Sequence, residues 1–239
     1  MAAEESKIKY LEGLRGLAAF VVVIHHFIVG FMPALHYHEL NTRHFENTKA
    51  ELVIANSPLA ILYSGNLAVC IFFVLSGYVL TKKYFDTGER KFLVGMMVKR
   101  YSRLMIPVGV SSLLIYLVMQ IDYVIPWYKY CFTYSPWLCN LWPTDGDWLH
   151  FLKTTFIRVP LTGADDYNTV LWTMQYEFLG SIGLGLCCLM IIPKYKWTDW
   201  FFLAVIIVLF YFGQFYYIGF LTGALLSKIQ NPKNKLIQF

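Results

Sequence analysis

The chain has 239 residues, 57% hydrophobic, 18% aromatic and only 15% charged, with a formal net charge of +5. Soluble domains carry about a quarter charged residues. Intrinsic disorder needs low hydrophobicity and high charge, so it is excluded. Five Cys in so long a chain exclude a disulfide-framework miniprotein. A large soluble core or a bilayer remains, and apolar run lengths decide between them.

In chain order, a head of mixed charge, Met1–Arg15, precedes a first apolar run at 17–35 that is interrupted only by His25-His26. That run is too long for a cleaved signal peptide and reads as an uncleaved signal-anchor. A second run at 66–81 carries Ser76 and Gly77; a third, 104–125, has Pro107 near its start. The fourth, 170–192, holds one charge, Glu177, and the fifth, 200–227, holds none. A helix of ~20 apolar residues crosses a ~30 Å hydrocarbon core. The expectation is an all-α, multi-pass transmembrane helical bundle with five or six spans, in one membrane domain over 1–239. The count stays open because 200–227 is either one tilted helix or two shorter ones around Gly213-Gln214.

Loop charge orients the chain. Lys7, Lys9 and Arg15 precede the first span, and Lys82, Lys83, Arg90, Lys91, Lys99, Arg100 and Arg103 lie between the second and third. Lys194 and Lys196 follow the fourth. The opposite loops hold fewer basic residues, so the positive-inside rule places the N-terminus in the cytoplasm. The charge reflects an inner membrane surface rather than nucleic-acid binding. The outer loop 126–169 carries four Trp, and its Trp148, Phe151, Leu152 and Phe156 follow a helical period suited to the membrane surface. Cys131 and Cys139 share this loop and can pair if it faces an oxidising compartment.

Ionisable groups inside spans suggest function by default. Arg15 and His26 are eleven residues apart, which returns to within about 20° on a helix, so both share one face ~16 Å apart. His26 is expected near mid-bilayer and Arg15 at the cytoplasmic mouth; His25 points roughly 80° away. Counted from the opposite face, Glu177 reaches a similar depth, where a carboxylate can orient an imidazole. It can equally bond a Tyr or Trp of a neighbouring span. Ser76-Gly77 is either a close-packing notch or room for a ligand. Lys99, Arg100 and Arg103 can be simple topology anchors. Arg100 and Arg103, at i and i+3, can also share a face and hold phosphates.

Four segments resemble a known family. Tyr10-Leu-Glu-Gly-Leu-Arg-Gly-Leu-Ala-Ala19 running to His26 is similar to the opening of the membrane acyltransferase 3 family, with a basic residue, ten positions and then His. Phe72-Phe-Val-Leu-Ser-Gly-Tyr78, Lys99-Arg-Tyr-Ser-Arg-Leu-Met-Ile-Pro107 and Leu171-Trp-Thr-Met-Gln-Tyr-Glu177 resemble three further family segments, in order. The resemblance implies an integral membrane O-acyltransferase moving an acyl group, often acetyl, from an acyl-CoA-type donor to a hydroxyl of a carbohydrate, lipid or secondary metabolite. It implies His26 as the catalytic histidine, Arg15 as its partner, Glu177 as part of the cavity, and Arg100, Arg103, Ser76 and Gly77 on the donor side. Acyl-CoA is then a co-substrate, with no metal and no resident cofactor. Family members have about ten spans, so the chain is expected to be the N-terminal part of the usual domain, working as an oligomer or with a longer paralogue. Two other readings compete: a proton-coupled transporter, since intramembrane His and Glu also serve relays, and a non-catalytic fragment that modulates a partner.

Overall fold

The computed structural model describes residues 2–39, 49–120, 135–139, 147–192, 195 and 197–230. All regular structure among them is helical. The main helices are α1 (Ala2–Phe31), α2 (Ala34–Tyr37), α3 (Ala50–Ala55), α4 (Gly65–Thr87), α5 (Lys91–Met119) and α6 (Pro136–Cys139). They continue with α7 (Trp148–Lys153), α8 (Val159–Thr162), α9 (Trp172–Met190), α10 (Trp197–Tyr211) and α11 (Phe215–Ile229). Helix occupies part of every apolar run named above. Lys9–Phe31, Gly65–Thr87 and Lys91–Met119 are long and apolar enough to cross a membrane. Phe20, Phe27 and Phe31 on α1 are more than half exposed. Large apolar surfaces of that kind are uncommon on water-soluble chains and suit lipid. The fold is an all-α membrane bundle.

The chain divides into two units, 1–69 with 110–151 and 166–169, and 70–109 with 152–165 and 170–239. In the first unit, α1 ends at Phe31 rather than at Leu35. Pro33 is the cause: it has no N–H to give to the carbonyl four residues back. The last helical bond runs from Met32 to Ile28 at 2.8 Å, and the Val29 carbonyl that Pro33 leaves open accepts the Ser135 hydroxyl at 2.6 Å. That bond ties α6 to the end of α1. The rest of the unit is held by an aromatic group, Tyr116, Trp148, Phe151 and Tyr167, and by Asn168 donating to Ser111 at 2.6 Å.

The second unit repeats the proline device. Pro160 begins α8 and cannot bond the Phe156 carbonyl, which accepts the Tyr101 hydroxyl of α5 at 2.7 Å instead. A π-helical turn at Thr154–Arg158 leads into it, where Met105, Val108, Val159 and Leu171 make a small buried core. The open question at 200–227 resolves as two helices. Gly213 adopts φ +68 and closes α10, as glycine does at a left-handed helix end. Lys228, late in α11, ion-pairs with Asp199, early in α10, at 2.6 Å. The two therefore form an antiparallel hairpin. Each arm has 15 residues, or roughly 22 Å, short of the ~30 Å hydrocarbon thickness.

The 104–125 stretch is helical to Met119; residues 121–125 lie outside the described residues. Cys139 is disulfide-bonded, whereas Cys131, its expected partner, lies outside the described residues. Lys194 and Lys196 also lie outside them.

Candidate active site

In the first unit, α1 runs unbroken through Arg15 and His26, so the shared-face spacing holds. His26 lies about 8 Å from the Phe31 end of α1. Arg15 lies inside the same helix and is exposed.

His26 is half-buried, and its Nδ1 faces the Val22 carbonyl one turn back at 2.7 Å. A carbonyl only accepts, so Nδ1 carries the proton and donates it. In the neutral ring the lone pair is therefore on Nε2. His25 donates from Nδ1 to the Tyr63 carbonyl at 3.0 Å, which ties it to the segment before α4. Gly65 makes room for this, since a Cβ there would run into the His25 ring. The two neighbouring histidines thus have different anchors, as their 100° separation on the helix requires. The Trp137 ring of α6 lies 5.6 Å from the His26 ring. Sequence reasoning missed Trp137 because a contact between residues so far apart leaves no periodic signal.

The second unit carries a different polar cluster. Arg100 of α5 ion-pairs with Glu177 of α9 and is only 8% exposed. Its Nε donates to Ser181 Oγ at 3.1 Å, and its Nη2 to Ser76 Oγ at 3.3 Å. Ser76 in turn donates its single hydroxyl proton to Glu177 Oε1 at 2.6 Å. Glu177 and Ser181 are four residues apart on α9, so one face presents both to Arg100. The cluster is charge-neutral and joins α4, α5 and α9.

These contacts bear on three expectations. The Val22 carbonyl orients His26 through Nδ1, and the Glu177 carboxylate is engaged by Arg100 and Ser76. Arg100 and Arg103 differ in burial: three helical residues leave about 60° between them, enough to bury Arg100 while Arg103 stays exposed. Gly77 is the close-packing notch, since a Cβ there would collide with the backbone at Phe220 of α11. Gly223 matches it from the other side, where a Cβ would strike the Val74 backbone. Gly219-Phe-Leu-Thr-Gly223 is a small-xxx-small pattern legible in the sequence, and it was missed beside the longer apolar run. Ser181 had only its place four residues after Glu177 to signal it. Above the cluster, Trp172, Tyr176 and Tyr216 pack their rings 4.9–5.7 Å apart.

Comparison with known proteins places the chain in a family. The acyltransferase 3 profile, described as an acyltransferase domain, matches residues 8–236. The chain is also similar to the O-acetyltransferase PaAT-1 of Phomopsis amygdali, 25% identical over 199 residues. That alignment covers 73% of this chain and 39% of the relative, so the chain spans about two-fifths of the curated relative's length. No solved structure matches.

Proposed function

Since the chain belongs to the acyltransferase 3 family, we propose that it carries the acyl-transfer centre of an integral membrane O-acyltransferase, using an acyl-CoA donor and a hydroxyl acceptor. The observation that carries this reading is the 2.7 Å bond from His26 Nδ1 to the Val22 carbonyl, which in a neutral imidazole puts the lone pair on Nε2. That is the protonation state a general base needs. In the proposed step, Nε2 takes the acceptor hydroxyl's proton as its oxygen bonds the thioester carbonyl carbon. The C–S bond then breaks, and the imidazolium returns the proton to the departing CoA sulfur. Arg103, exposed near the middle of α5, is the arginine of its pair that remains open to the donor's phosphates. Arg100 serves by fixing Glu177 and Ser76. Arg15 contributes positive charge on the His26 face. The N-terminus is taken as cytoplasmic from loop charge.

The test is turnover of acetyl-CoA by the purified full chain in lipid nanodiscs with a panel of alcohols. His26→Ala is expected to lower kcat about 10²- to 10⁴-fold without loss of helicity. Full turnover by His26→Ala overturns the reading. Arg103→Gln is expected to raise the KM for acetyl-CoA and leave kcat nearly unchanged, the split expected of a uniform binding contact.

A further inference from the structure

We propose that Trp137 is the acceptor-positioning residue of this site, a ring platform beside His26 that selects alcohols presenting a flat apolar ring face next to the reacting hydroxyl. The inference rests on the reading of His26 as the base.

Several observations place the indole. Its ring centroid lies 5.6 Å from that of His26, with the planes inclined at 56°. Its edge also covers Gly30, where a Cβ would stand 3.7 Å from the indole Cζ3. His26 and Gly30 are one turn apart on one face of α1, so the indole covers the face on which the base stands. Trp137 is half-buried, leaving part of its surface free.

The segment bearing it is anchored well beyond what a four-residue helix holds by itself. Ser135, fully buried, donates to the Val29 carbonyl at 2.6 Å and accepts the Leu138 N–H at 3.2 Å. The Trp137 backbone bonds the Tyr37 hydroxyl, and Cys139 is disulfide-bonded. The first of these anchors exists because Pro33 leaves Val29 without its helical partner. The chain thus uses a helix-ending proline to fix an aromatic ring beside the imidazole. A hydroxyl that reaches the His26 ring therefore has a large apolar plane centred 5.6 Å from that ring beside it. A saturated ring can lie flat on such a plane and gain contact that a flexible chain forfeits through lost rotamer freedom.

The experiment compares cyclohexanol with 2-hexanol, both secondary alcohols of six carbons, as acceptors with acetyl-CoA in nanodiscs. The native protein is expected to prefer cyclohexanol. Trp137→Ala is expected to raise its KM about fivefold, leave 2-hexanol within twofold, and keep kcat. Trp137→Phe should recover part of the preference. Equal losses on both alcohols, or no ring preference in the native protein, overturn the proposal. A readout independent of turnover is carbethoxylation of His26 by diethyl pyrocarbonate, followed by peptide mass spectrometry. Cyclohexanol should slow it in the native protein and not in Trp137→Ala; equal protection in both contradicts the platform. Loss of turnover in His26→Ala with an unchanged alcohol ratio in Trp137→Ala sinks only this inference. Full turnover in His26→Ala sinks the function reading instead.

Discussion

The two polar centres treat buried chemistry in opposite ways. Around Arg100, one carboxylate and two hydroxyls take up the guanidinium, and Ser76 closes the ring to Glu177. Around His26, one nitrogen is bonded to the helix's own backbone, which in the neutral ring puts the lone pair on the other. The first arrangement binds helices together and offers little to a reactant. The second is half-buried and incomplete, which is what a base requires. The contrast teaches that an ionisable residue in a span is not evidence of catalysis until its hydrogen bonds are counted.

The contrast can be sharpened by breaking each side. The largest stability effect is expected at the neutral cluster: Arg100→Met leaves Glu177 buried without its partner and should cost about 3–5 kcal/mol, read as thermal unfolding in detergent. Combining Arg100→Met with Glu177→Gln should recover much of that loss, because the orphaned charge is gone. His26→Ala should leave unfolding nearly unchanged. If His26→Ala destabilises as strongly as Arg100→Met, the division between binding knot and reactive base fails. Next in size is Gly223→Ala, which should cost about 1–3 kcal/mol by driving α11 off the Val74 backbone. Gly183→Ala, with open space around its Cβ position, should be neutral or slightly stabilising.

The smallest expected effect is on pH dependence at the edge of the histidine site. Partial desolvation holds the His36 imidazole below its ordinary value of 6.5, with like-charge repulsion from His38 and His26 adding to it. The folded protein therefore binds this proton less readily than the unfolded chain. The stabilisation is complete above about pH 6.5 and declines as pH falls through that value toward the folded pKa. Hydrogen exchange at the amides of α2 should quicken modestly between pH 7 and pH 5 after correction for intrinsic rates. His36→Gln should flatten that trend. An unchanged slope in His36→Gln places the pH dependence elsewhere.

Much of the fold is legible in the sequence because apolar run length and proline position act locally. Residues 66–81 and 170–192 announce their helices by composition alone, and Gly213 marks the break between α10 and α11. The site is less legible. The spacing of Arg15 and His26 follows from helix geometry, and their shared face needs no tertiary information. Their depth does depend on where the helix stops, and Pro33 moves that end by one turn. Arg100 and Arg103 look equivalent in the sequence, and only the packing of α9 separates them. Trp137 lies more than a hundred residues from His26 in the chain, brought beside it through a carbonyl that Pro33 exposes, and no single-sequence pattern encodes such a meeting.

The central claim is the proton position on one imidazole. Nitrogen NMR of the histidine-labelled full chain in nanodiscs, with His26→Asn to assign the resonance, reads it directly at pH 8. The account predicts a proton on Nδ1 and a bare Nε2. A His26 ring protonated on Nε2 would contradict it, for the nitrogen assigned the role of base would then already hold its hydrogen.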